Sequence, residues 1–126
     1  MRVFVYMHKP LTKKLGHPVY SVKALEGSDK GKVIGRYADV RLVQARAKVS
    51  EAGRRRVIRE GSKNVHAGIE GIIVSLTPGE IEVNHRSGSK IRYNPRETET
   101  FVYTDTGEEY RSSRWAHLCG EGVFVE

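Results

Sequence analysis

The sequence has a single cysteine, Cys119, among its 126 residues. A lone cysteine excludes an internal disulfide and a thiolate cluster for a structural metal, which favours a reducing compartment. Apolar runs such as Ile72 to Val74 are far too short to cross a bilayer, so we expect no membrane association. The N-terminal MRVFVYMHKP has neither a long apolar region nor a small-residue cleavage site, and it predicts a first strand rather than a signal peptide. We therefore expect a cytoplasmic protein.

Motifs for common enzymatic chemistry are also missing. There is no Walker A sequence, no GxGxxG after a strand and no GxSxG elbow, so classical nucleotide hydrolysis is not expected. The histidines show no HxH, HxxxH or HExxH spacing, and we expect no metal and no cofactor; they are His8, His17, His66, His85 and His117. Because Cys119 follows His117 closely, a Cys/His nucleophile is conceivable, although such a cysteine is more often a small buried hydrophobe. We expect a binding protein and not an enzyme, with nucleotide processing and a two-histidine, ribonuclease-like activity left open.

Alternation of apolar and polar residues with a period of two dominates the chain and predicts strands. Gly68 and Gly71 interrupt one of these strands, which indicates a bulge or a close backbone approach. In another, Val43, Ala45, Ala47 and Val49 are expected to share one face. The predicted strands cover the N-terminus, Tyr20 to Ala24, Val33 to Tyr37, Val43 to Val49, Val65 to Leu76, Ile81 to Val83, Ile91 to Tyr93, Phe101 to Tyr103 with Tyr110 on a second arm, and Gly122 to Glu126.

One segment, from about Ser50 to Glu60, predicts a helix, with Ser50 as its N-cap and Gly61 just past its end. It lies in the stretch from Arg46 to Gly68, whose seven basic and two acidic residues leave a local charge of +5 out of +7 for the chain. Such a cluster needs water or anions beside it. We therefore expect one domain over residues 1–126 that is mainly β, a small strongly bent sheet or SH3-like barrel with one short basic helix around residues 50–60.

The basic helix predicts a site for a phosphate-bearing ligand. At about 100° per residue, three arginines share its solvent face, and the turn after it supplies a point charge, an amide and an imidazole that can hold phosphate or a base. An Arg-Trp pair on a later segment suits a stacking platform as well as it suits a core anchor. The predicted ligand-binding residues are Arg55, Arg56, Arg59, Lys63, Asn64, His66, Arg114 and Trp115.

The segment from Val65 to Leu76, followed by Glu80 to Val83, resembles the KOW hairpin of SH3-like barrels. The resemblance implies a barrel that binds RNA or the surfaces of ribosomes and the transcription machinery. The sequence departs from that family at Glu70, which stands where a lysine is usual just before the second glycine. This exchange puts a direct phosphate contact by the loop in doubt.

The chain as a whole resembles small accessory proteins of tailed bacteriophages, through Tyr20 to Leu25, Gly31 to Ile34, Val49 to Arg54 and Lys63 to Gly68. The resemblance implies a role in host takeover or defence evasion in the host cytoplasm. We expect non-catalytic binding of a nucleotide, such as a sequestered host signal. An RNA- or DNA-binding module and an inhibitor that docks on an acidic host protein are the alternatives, and homo-oligomer formation is left open.

Overall fold

The computed structural model describes residues 1–49, 67–77, 88–94 and 100–126. These residues form a mainly β protein, as the alternation predicts. The described part of the chain contains one short helix, α1 (Lys9–Leu15), and nine strands: β1 (Arg2–Met7), β2 (Tyr20–Ala24), β3 (Val33–Tyr37), β4 (Asp39–Val49), β5 (Ala67–Thr77), β6 (Ser89–Asn94), β7 (Thr100–Tyr103), β8 (Ser112–Cys119) and β9 (Gly122–Val125).

The nine strands join one antiparallel sheet in the order β3-β2-β1-β5-β4-β8-β9-β6-β7. The last strand, β9, lies between β8 and β6 and leaves β3 and β7 as the two edges. The nine described strands therefore do not close into a barrel, so the SH3-like alternative is wrong for this chain and the open sheet is the alternative that is observed.

Strong curvature lets this open sheet enclose a single apolar core. The Tyr20 hydroxyl on β2 donates a hydrogen bond of 2.8 Å to the carbonyl oxygen of Cys119 on β8. Four strand spacings separate β2 from β8, which would be about 19 Å in a flat sheet. Strand β7, at one edge, also contacts the central strands β4 and β5. The sheet therefore has a concave inner face, which packs the core, and a convex outer face.

The core is built from the inner-face side chains of both halves of the sheet. Val3, Val22, Leu42, Ile91 and Val125 are among its fully or almost fully buried members. Because they come from five different strands, the core joins the first half of the sheet, around β1 and β2, to the second, around β6 and β9. Because the core takes up the inner side of each strand, the outer side is the one that remains for contacts with a ligand or partner.

Strand β4 departs from the strict alternation that the sequence predicts. Gln44 adopts a positive φ of 51°, and the pairing of β4 with β5 shifts between Val43 and Arg46. The irregularity turns Val43 away from the core, where 37% of it is exposed, while Ala45 is buried. The expectation that Val43 shares a face with Ala45 is therefore wrong.

Helix α1 was not predicted from the sequence. The expected first strand ends at Met7, and the chain then turns into α1, whose last turn carries Lys13 and Lys14. Gly16 ends the helix at a φ of 77°, with its N–H bonded to the Thr12 carbonyl at 3.0 Å. Seven residues are too few for a clear helical period. Within the described ranges no helix is long and apolar enough to span a membrane.

Two predicted elements fall outside the described residues. These are the basic helix around residues 50–60 and the hairpin arm from Ile81 to Val83. Strand β8 was not predicted, whereas Tyr20–Ala24 and Val33–Tyr37 coincide with β2 and β3.

Gly68 and Gly71 of β5 lie where neighbouring strands approach its backbone closely. A close approach was one of the two interpretations of these glycines, the other being a bulge. A Cβ atom on Gly68 would lie 2.3 Å from the carbonyl oxygen of Val5 and 2.7 Å from the Phe4 ring. A Cβ atom on Gly71 would lie 3.0 Å from the carbonyl oxygen of Val43. The contact at Gly68 is impossible without moving β1, because its nearest atom belongs to the backbone.

Replacing Gly68 with alanine should therefore destabilise the protein by about 3 kcal/mol, the upper part of the usual range for overpacking. Gly71→Ala is the matched control and should cost about 1 kcal/mol, since its Cβ needs a shift of a few tenths of an ångström. Urea unfolding of both variants measures the difference. Equal losses of unfolding free energy would contradict the close approach of β1 and β5.

Candidate functional site

The predicted binding residues divide into two groups. Arg114 and Trp115 lie on β8, in the middle of the sheet. The remaining predicted residues lie outside the described part of the chain and stay predictions: Arg55, Arg56, Arg59, Lys63, Asn64 and His66.

A β-bulge carries the Arg114-Trp115 pair. The N–H groups of both residues donate to the same oxygen, the carbonyl of Glu126, at 2.9 and 3.1 Å, and the Glu126 N–H bonds back to Trp115 at 3.3 Å. Two residues of β8, Arg114 and Trp115, thus oppose a single residue, Glu126, which follows the end of β9. Bulges re-aim side chains and are over-represented beside functional sites. This geometry makes the pair a candidate for binding.

Trp115 lies on the outer face of the sheet. Its neighbour Ala116 is buried in the core, so alternation places Trp115 on the other side, where it is partly exposed. Its cross-strand partner on β4 is the exposed Val43. One edge of the indole rests on Gly88, where an added Cβ would lie 2.8 Å from Cη2. The ring is therefore held along one edge while part of it remains accessible.

Exposed cations line the same face of β4. Arg41, Arg46 and Lys48 are all exposed, with 48% and 58% of the two arginine side chains accessible. Arg41 precedes the bulge at Gln44, and the other two follow it. The exposed acidic residue Glu126 lies next to this face, opposite Trp115.

Glu70, a buried carboxylate on β5, organises part of this charge. The Nε of Arg46 on β4 donates to it at 2.5 Å, and Arg2 on β1 lies 3.6 Å from its other oxygen. Burial alone raises the pKa of this carboxyl. The hydrogen bond from Arg46 and the charges of Lys48, Arg46 and Arg2 together outweigh that effect and lower the pKa below its ordinary value. Three cations thus surround one anion.

Asp39 is the second buried carboxylate of this region. One of its oxygens lies 2.6 Å from Nε2 of His117, which is also buried, and Arg41 approaches the other oxygen at 3.6 Å. The pairing of Asp39 and of Glu70 was not predicted from the sequence. The one signal was Glu70 itself, an acid where the KOW pattern has a lysine.

The surroundings of Cys119 do not favour a nucleophile. Burial is the main cause that raises the pKa of its thiol, and the S–H points to the Gly122 carbonyl oxygen at 3.5 Å. A reactive cysteine needs an accessible thiolate. Among the described residues, moreover, no group of three His, Cys, Asp or Glu side chains could hold a metal ion.

Comparison with known proteins shows the family. The family model described as "Mycobacterium phage L5 gene 82 protein" matches residues 1–126. The "Gene 82 protein" of Mycobacterium phage L5 is 45% identical over 123 residues, which cover 98% of this chain and 94% of that relative. The chain belongs to this family. The resemblance to phage proteins is thereby confirmed. No solved structure matches this chain.

The pairing of Glu70 predicts a specific dependence of stability on pH. Because its folded-state pKa lies below the ordinary 4.5, ionised Glu70 stabilises the fold above that pH, and this contribution is lost as the pH falls through the folded-state pKa. The Glu70→Gln variant should therefore be less stable than the wild type at neutral pH. Between about pH 5 and about pH 3 it should also lose less unfolding free energy than the wild type loses.

Urea unfolding at a series of pH values measures this effect. Glu108→Gln, at an exposed position, is the control and should follow the wild-type curve. Parallel curves for wild type and Glu70→Gln over the acid range would show that the ion pairs of Glu70 contribute nothing.

Proposed function

We propose that the protein binds a phosphate-bearing ligand, a nucleotide or nucleic acid, on the outer face of β4 and β8 without catalysing a reaction on it. The proposal rests on the charge of this face. The two carboxylates of this region, Asp39 and Glu70, are buried and paired, so the charge that β4 exposes to solvent is basic.

The arithmetic of charge supports an anionic ligand. Arg2, Arg46 and Lys48 act on the single negative charge of Glu70, which leaves two positive charges in excess. These cations are held by a rigid sheet and stay near water, where they attract anions over roughly the 8 Å Debye length of physiological salt. An anionic partner would neutralise them at little cost in desolvation of the protein's own ion pairs.

A non-catalytic role is supported by the burial of the reactive side chains. His117 is 5% exposed and held by Asp39, and Cys119 is 1% exposed. A general base or nucleophile must come within hydrogen-bond reach of its substrate. Among the described residues, the accessible side chains of this face include arginine, lysine, valine and tryptophan, which bind and stack but do not transfer protons at neutral pH.

The phage family gives the proposal its biological setting. A protein of this family would act in the host cytoplasm, where it could sequester a host nucleotide signal in host takeover or defence evasion. In this proposal the predicted cluster of Arg55, Arg56, Arg59, Lys63, Asn64 and His66 supplies further ligand contacts.

Docking on an acidic host protein is the second candidate function. The exposed apolar side chains Val43 and Val74 favour it, because they lie beside the cations of the central strands and would gain from burial. Direct binding of purified nucleotides and oligonucleotides distinguishes the two functions, since a protein-docking surface has no need to hold either.

A triple variant tests the site. Arg41→Gln, Lys48→Gln and Arg114→Gln together should weaken binding of a fluorescein-labelled 15-nucleotide oligonucleotide or of labelled ATP by roughly tenfold or more at about 100 mM salt. Fluorescence anisotropy measures the affinity. The matched control is Lys13→Gln, Lys30→Gln and Lys32→Gln, which removes the same charge from exposed positions on α1 and the β2–β3 turn.

The control should change affinity by about twofold or less, since it alters net charge without altering the proposed face. Equal weakening by both triple variants would show that attraction is not localised to β4 and β8. Absence of binding to ATP, RNA and DNA by the wild type would refute the proposed function.

A further inference from the structure

We infer that the ligand of this face is single-stranded nucleic acid, whose backbone runs along β4 and one of whose bases stacks on Trp115. The inference rests on the proposed function and narrows it from any phosphate-bearing ligand to a polymer. Three features of the face support it: the spacing of the cations, the position of the indole and the shape of the sheet.

The cations extend too far for one small phosphate group. Arg41 and Lys48 are seven residues apart on the same strand, which corresponds to at most about 23 Å at the rise of a β-strand. Arg46 lies between them on the same face. A row of this length can contact several successive phosphates, whereas the phosphates of one nucleotide would leave most of it unused.

Trp115 lies beside the middle of this row. Its cross-strand partner Val43 is two residues after Arg41 and three before Arg46, so cations stand on both sides of the indole. A base stacked there would have its flanking phosphates near positive charge in both directions. The exposed apolar surface of Val43 widens the platform, and stacking of one base on an aromatic ring contributes about 1–3 kcal/mol.

The anchoring of the ring supports stacking over packing in the core. Trp115 rests on Gly88 along one edge and is not among the core residues. A ring that is fixed by its neighbours loses little conformational entropy when a base stacks on it. Arg114, the residue that precedes Trp115 in the bulge, is exposed to solvent.

The convexity of the outer face disfavours a duplex. The sheet encloses its core on the concave side, so the face that carries Trp115 curves away from a straight cylinder. A duplex also hides its bases within its own stack, where an indole on a sheet cannot reach them. A flexible single strand can follow the convex surface and turn a base out.

Trp115 is the one tryptophan of the chain, so its fluorescence reports on the site without a label. The probes are a 15-nucleotide oligothymidylate, an abasic phosphodiester of the same length and charge, a 15-base-pair duplex and ATP. We expect the oligothymidylate to quench the Trp115 emission and to bind roughly tenfold more tightly than the abasic strand, because only the former has bases to stack.

The variant Trp115→Leu should bind both single strands equally, measured by anisotropy of labelled probes, whereas Lys30→Gln should keep the tenfold preference. Circular dichroism checks that Trp115→Leu is folded. If that variant does not fold, the wild-type comparison of thymidylate with abasic strand still decides, since it requires no substitution.

Equal affinity for the thymidylate and abasic strands, or a duplex that binds as tightly as the thymidylate, would overturn the inference. Tight binding of ATP with no binding of either single strand would overturn it too but leave the proposed function standing. If none of the four probes binds, both fail.

Discussion

The burial of Glu70 is the constraint on which the character of the outer face depends. A carboxylate removed from water must be paired, and Glu70 lies on a strand between β1 and β4, each of which supplies an arginine. The pairing ties three neighbouring strands together. Three cations, Arg2, Arg46 and Lys48, lie near this one carboxylate, which can neutralise only one of their charges. The other two positive charges remain at the surface.

The inner face of the sheet holds the apolar core, whereas the outer face combines buried, paired polar groups with exposed cations. The inner face closes on an apolar core, and Tyr20 reaches across it to the carbonyl of Cys119. His117 and Asp39 are paired and buried, so their polar atoms serve the structure. Arg41, Arg46 and Trp115 are left on the convex side, where their contacts with solvent can be exchanged for contacts with a ligand.

Local patterns in the sequence predicted most strands but not the long-range arrangement. Alternation located Tyr20–Ala24 and Val33–Tyr37, because half-buried strands repeat every two residues. It failed at Val43, since the positive φ of Gln44 reverses the pattern and a bulge leaves no clear mark in composition. The choice between barrel and open sheet depends on strand order, which periodicity does not encode. Arg114 and Trp115 were predicted as a pair, whereas the buried partners of Glu70 and Asp39 come from distant segments.

Chemical-shift mapping tests most directly whether the surplus charge of the outer face makes it the binding surface. Backbone and indole N–H signals would be followed by nuclear magnetic resonance while the 15-nucleotide oligothymidylate is added. We expect the largest shifts on β4 and β8, at Val43 and at the Trp115 indole, with little change in the β2–β3 turn around Lys30. Shifts centred on that turn, with β4 and the indole unchanged, would contradict it.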